Sequence, residues 1–207
     1  MPQQRHRHAA AGSVPGRIGP NAIIRLGEAL EEAVGQAETA AIFSACGLSG
    51  YLATPPDQMV SEDEVAQLHA AVFRALGTDA ARSVSRVAGA RTGDYLLAHR
   101  IPHGVQRLLK PLPARLASPL LTSAIRRHAW TFVGSGAFCA TSGRDLRLSL
   151  RDCPICRELT ADAPVCDYFA ATFERLYRVL VHPEAEVREE ECEASGGTAC
   201  VFVVRWR

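Results

Sequence analysis

Lysine is nearly missing from this chain of 207 residues: Lys110 is the only one, and every other fixed side-chain cation is an arginine. With abundant alanine beside it, this reads as a compositional bias that carries no mechanism. Long apolar runs are missing as well, which excludes a helix that spans a bilayer. So is any surplus of charge. The 23 Lys+Arg stand against 22 Asp+Glu, leaving no overall field to draw the chain onto nucleic acid or an anionic membrane. Residues Met1 to Gly16 are polar and lack a following apolar stretch of the kind a secretion signal needs, so the expected location is the cytoplasm. No G-x-G-x-x-G closes a strand and opens a helix, so no dinucleotide-binding fingerprint is present.

What is there, in quantity, is cysteine. In a reducing compartment seven cysteines serve as ligands, buried apolar residues or redox groups more readily than as a disulfide frame. Cys46 and Cys139 stand alone and read as small core residues. Cys153, Cys156, Cys166, Cys192 and Cys200 crowd toward the C-terminus. The Cys153-Pro154-Ile155-Cys156 loop can present two thiolates to one ion, and a tetrahedral zinc site closes with four N or S ligands. Glu189 or Glu191 offers an oxygen instead. One ion cannot use every candidate, so at least one of the five cysteines is not a ligand. Iron–sulfur ligation is another use of such residues. A redox dithiol at Cys153/Cys156 lacks the βαβ setting that motif needs.

The apolar pattern places these residues on an α+β frame. Residues 1–16 show no period that could bury a face and read as a disordered arm. Residues 17–207 read as one domain, with a helical N-terminal half. Helices are expected from about 21 to Gly35, 38–47, 61–77 and 79–100. Short helices follow among Pro102, Pro111 and Pro113, and another restarts at Ser118-Pro119. The helix over 79–100 is rich in small residues, which admits close approach by another helix or by a flat ligand. The period changes at Thr131. Strands are expected over 131–141 and 145–151, an amphipathic helix over 164–181, and a second hairpin over 184–193 and 199–206. The result is a helical half packed on an antiparallel four-stranded β-β-α-β-β sheet.

Two runs carry a resemblance: Pro164-Val165-Cys166-Asp167-Tyr168-Phe169, and Val187 to Phe202 with its Glu189, Cys192, Gly196 and Cys200. They resemble the 4-vinyl reductase domain family and its late E-x-x-C-x-x-x-G-x-x-x-C-x-F hairpin. The resemblance is strongest with the family's members in bacteriochlorophyll biosynthesis, and so implies a 4-vinyl reductase-like ligand-binding domain over 17–207. It implies a fold similar to the vesicle-tethering-complex subunits, often a homodimer, around an apolar ligand cavity. It also implies zinc on Cys166, Glu189, Cys192 and Cys200, with Cys153 and Cys156 as additions that can displace Glu189. A strict strand would point Glu189 and Cys192 to opposite faces, so joint ligation requires a bulge or an early turn.

The implied function is binding of a divinyl (proto)chlorophyllide-type tetrapyrrole, with the protein as carrier or accessory factor in 8-vinyl reduction. The alternative is the reductase itself, drawing on an external reductant such as NADPH. A flat macrocycle wants apolar walls, a His for its magnesium and an Arg for its carboxylate. Tyr95, His99, His103, Leu121, His128, Trp130 and Phe132 lie where the family would keep its cavity. Arg91, Arg100, Arg126 and Arg127 are the carboxylate candidates. Each has a plain alternative as core, capping or solvated surface. The partners expected are the pigment precursor and other enzymes of its biosynthesis, with no nucleic acid.

Overall fold

The computed structural model describes residues 16–206. The expected N-terminal arm lies, apart from Gly16, outside the described residues. Helix α1 (Asn21–Ala45) is broken at Gly35, whose φ of 82° leaves the helical region, and the two helices read on either side of Gly35 are its two arms. A short α2 (Gly50–Ala53) precedes α3 (Glu62–Leu76). Ser61 and Glu64 cap α3 reciprocally, and three acidic residues in its first turn suit the positive end of the helix dipole. A two-residue ribbon, β1 (Arg17–Ile18) with β2 (Val60–Ser61), ties the start of the chain to α3 and has no counterpart in the sequence reading.

Helix α4 (Thr78–His99) lies against α8 (Asp167–Leu180), and here the small residues find their use. A Cβ at Gly89 would run into the Tyr168 carbonyl. Thr172 Oγ1 donates to Gly89 O at 3.0 Å, and Thr92 and Tyr168 hydroxyls meet at 2.9 Å. Ion pairs Arg82–Asp167 (2.7 Å), Arg86–Glu174 (3.1 Å) and Arg175–Asp94 (2.6 Å) fasten the same pair of helices. Close approach therefore serves a helix, not a flat ligand. On the other side of α8, Phe169 and Phe173 pack their rings against Phe202 of the sheet.

Next come α5 (His103–Leu109), α6 (Ala114–Arg127) and α7 (Trp130–Val133). α6 starts after Pro113 and carries Pro119 within its second turn, so Ser118-Pro119 does not restart a helix. The strand expected from Thr131 begins later. Trp130–Val133 is helical, Gly134 turns the chain with φ 60°, and the Glu62 carboxylate holds the Ser135 amide at 2.7 Å.

The sheet comprises β3 (Ala137–Ser142), β4 (Leu146–Arg151), β5 (Glu186–Glu191) and β6 (Cys200–Arg205), ordered β3-β4-β6-β5 and antiparallel throughout. The two hairpins and the helix between them match the β-β-α-β-β expectation. Leu146, Leu148 and Leu150 alternate into the core, whereas in β6 Cys200, Phe202, Val203 and Val204 are all buried. Cys46 packs partly buried against the core, whereas Cys139 is exposed on edge strand β3 and is not a core residue.

Candidate metal centre

Five sulfurs meet where the two hairpins and α8 join. Cys153 and Cys156 lie in the loop after β4, Cys166 caps α8, Cys192 directly follows β5, and Cys200 opens β6. All five are buried to 1% exposure or less. Asp152 takes a left-handed conformation, φ 53°, to turn the chain into the loop. Glu193 fixes that turn, its two carboxylate oxygens accepting the Asp152 and Cys153 amides at 2.8 Å each. Arg157 ties the loop to α3 through Glu62 at 2.9 Å. Burial works to raise the Glu62 carboxyl, but hydrogen bonds from Arg157 and Ser135 together hold it below its usual range.

The sulfurs are free thiols. Cys166 lies 3.8 Å from Cys153, 3.8 Å from Cys192 and 3.6 Å from Cys200, and Cys200 lies 3.5 Å from Cys156 and 3.8 Å from Cys192. These separations far exceed a disulfide bond of about 2.05 Å. They match the edge of a zinc tetrahedron, about 3.8 Å when each Zn–S bond is about 2.3 Å. Hydrogen bonds among the thiols push Cys156 well down from the ordinary thiol range while pushing Cys166 and Cys200 up. The cluster thus sets a thiolate at Cys156 among buried neutral thiols, a place where a cation is favoured.

Two groupings bring four donor atoms within 4.8 Å of one another: Cys153, Cys156, Cys166 and Cys200, or Cys166, Glu189, Cys192 and Cys200. Cys166 and Cys200 belong to both. The β5–β6 pairing shifts register between Glu189 and Glu191, which is the bulge that lets Glu189 and Cys192 face the same thiols. Glu191 belongs to neither grouping. Glu189 Oε2 accepts the Cys166 amide at 2.7 Å, while its Oε1 has no hydrogen-bond partner among the described residues. Burial, reinforced by the charge of Cys192, pushes the Glu189 carboxyl up to about 9. Sequence reasoning missed the clamps Glu193 and Glu62. A carboxylate among several neighbouring ones gives no sign of which backbone amide it will reach.

The pigment candidates do not gather around one cavity. Tyr95 and His99 stack with ring centres 4.8 Å apart, and the guanidinium groups of Arg25 and Arg100 lie 5.2 and 5.9 Å from the Tyr95 ring. His103 is exposed on α5, and His128 is exposed with Nδ1 on Ala124 O at 2.9 Å. Leu121 is core, Phe132 packs on Phe138, Phe169 and Phe173, and Trp130 is 61% exposed. Arg91 is taken by Glu32. An open cleft of about 470 Å³ beside the thiols is lined by Ser135, Asp152, Cys156, Arg157, Leu159 and Glu193, and none of the pigment candidates borders it.

Residues 146–206, which hold all five sulfurs, match the 4-vinyl reductase domain family. Over 186 residues, 90% of this chain and 89% of the relative, the sequence is 42% identical to the bacteriochlorophyll synthase 23 kDa chain of Cereibacter sphaeroides. It is 40% identical over 189 residues to the protein of that name from Rhodobacter capsulatus, covering 91% of this chain and 86% of the relative. In fold it is similar to a structure described as probing haem distortion in the H-NOX family (TM-score 0.54, 13% identity, 91% of this chain and 94% of the other). A second, the Cs H-NOX mutant carrying 4-cyano-L-phenylalanine, gives a TM-score of 0.55 at 12% identity over 92% and 97%. The architecture is thus that of H-NOX domains, where the resemblance had implied vesicle-tethering subunits. With two relatives at 42% and 40% identity along nine-tenths of its length, the chain and its 4-vinyl reductase domain belong to the family of the bacteriochlorophyll synthase 23 kDa chains.

Proposed function

We propose that the protein binds a divinyl (proto)chlorophyllide-type tetrapyrrole in bacteriochlorophyll biosynthesis and assists reduction of its 8-vinyl group as a substrate carrier or accessory factor. The observation that carries this reading is the 42% identity, over 90% of the chain, to a protein named for bacteriochlorophyll synthase. The H-NOX likeness contributes architecture alone, though one of those structures is described by its haem. Vinyl reduction needs a hydride or electron source, which proteins take from a bound cofactor. Gly134 and Gly136 here are packed against Glu62 and the Arg151 carbonyl at the head of an antiparallel strand, not at a helix N-terminus. The carrier reading leaves the reductant to another protein.

Tyr95 and His99 are the pigment contacts retained from the candidates. They offer an aromatic face, an imidazole for magnesium and, in Arg100, a cation for a carboxylate edge. The thiol cluster would hold zinc, with Cys153, Cys156, Cys166 and Cys200 as ligands and no open position for substrate. Its chemistry there is structural, locking the β4–α8 loop to the last hairpin.

The test is to mix purified protein with divinyl protochlorophyllide, with and without NADPH. The expected result is saturable binding with the 8-vinyl group intact, and weaker binding by His99→Ala. Turnover by the protein alone would overturn the carrier reading in favour of the reductase.

A further inference from the structure

From residue 95 to residue 144 the chain has no Asp or Glu, while Arg100, Arg107, Lys110, Arg115, Arg126, Arg127 and Arg144 stand in that span. All seven cations are exposed. Among the described residues none of them forms an ion pair, whereas Arg82, Arg86 and Arg175 of α4 and α8 each hold a carboxylate. The near-neutral total conceals a segregated charge: one basic stretch, residues 95–144, on an otherwise acidic chain.

The same segment carries large apolar groups on its outer side. α6 buries Ala117, Ser118, Leu121, Thr122 and Ile125. Its opposite side, where a surface helix is ordinarily polar, carries Leu116 at 56% and Leu120 at 52% exposure. At 100° per residue Arg127 falls in line with these two leucines, whereas Arg115 and Arg126 both lie about 100–120° away on one side of them. Leu108 on α5 is 65% exposed, and Trp130, opening α7, is 61% exposed. A single exposed leucine needs no explanation, but several among unpaired cations mark an interaction surface.

We propose that the α5–α7 surface docks onto an anionic lipid surface. Leu108, Leu116, Leu120 and Trp130 would enter the headgroup–acyl boundary while the arginines meet phosphate groups, the arrangement by which interfacial helices bind. Charge selects this occupant over a second copy of the chain. A two-fold contact through this face would set unpaired cations against the same cations. The indole of Trp130, apolar with one N–H, suits the boundary between water and acyl chains. The inference stands on this surface alone and does not depend on the pigment reading.

The experiment is co-sedimentation of the full chain with phosphatidylcholine vesicles, with and without phosphatidylglycerol, together with tryptophan emission. Binding is expected on the anionic vesicles alone, weakening as salt is added. A blue shift should accompany it and vanish in Trp130→Phe, which leaves Trp206 as the background. Arg127→Gln should lower the partition coefficient roughly fivefold, and Leu116→Ser/Leu120→Ser should abolish the blue shift with the circular dichroism unchanged. The proposal is overturned by no sedimentation at low salt, by equal binding to neutral vesicles, or by a dimer that Leu116→Ser/Leu120→Ser dissociates.

Discussion

Glu189 stands beside the thiols as a neutral acid at neutral pH, since burial and the charge of Cys192 push its carboxyl up to about 9. Zinc takes soft thiolate ligands readily, which favours the four-sulfur grouping over the one with oxygen. Glu189→Gln should accordingly retain the metal, as read by elemental analysis of the purified protein. Cys166→Ser, which removes a corner common to both groupings, should lose metal and thermal stability together. His69 supplies a second test. Its ring is fully buried, 5.7 Å edge-on from Tyr168, and burial lowers its pKa to about 4. Below a free-histidine pKa of about 6.5 the unfolded chain therefore takes up a proton that the folded chain refuses. The stabilisation is complete above that value and is lost as pH falls through about 4. Denaturant unfolding should show a fall of about 2 kcal/mol from about pH 7 to about pH 5 from this group, and His69→Leu should flatten the profile. The cysteines were legible from spacing alone because five in so short a span is improbable. His69 was not, since one histidine on an apolar helix face gives no sign of whether its nitrogens will be paired.

Among the elements, the α4–α8 contact is the tightest. Ala at Gly89 places a methyl group against the Tyr168 carbonyl, backbone that cannot swing aside. Gly89→Ala should lower unfolding stability by about 1–3 kcal/mol while leaving metal content unchanged, measured on the same preparation. The sequence showed that something would approach this helix closely, but not what. Partner choice lies in tertiary packing, and Ala88, Gly89 and Gly93 would suit a macrocycle as well as a helix. Strand β4 was legible because alternation over Leu146–Leu150 has one buried and one wetter side, and β6 because its run of β-branched and aromatic residues follows a glycine turn. The start of β3 was not. Its entry is decided by the Gly134 turn and by a carboxylate 73 residues away in sequence, which no local period reports.

At the scale of the whole molecule, fold class and family were legible, whereas the charge segregation was not. The pigment candidates scatter over core and surface because a cavity forms between elements and has no period of its own. Net charge, which set membranes aside, averages a basic segment with an acidic remainder. What unites loop, helix and hairpin is the cysteine cluster, which brings sulfurs from all three segments to within 3.5–3.8 Å of one another. Metal analysis with X-ray absorption on the purified full chain tests this most directly. The predicted result is one zinc per chain in a shell of four sulfurs at about 2.3 Å. A folded chain that carries no metal and five titratable thiols would contradict it.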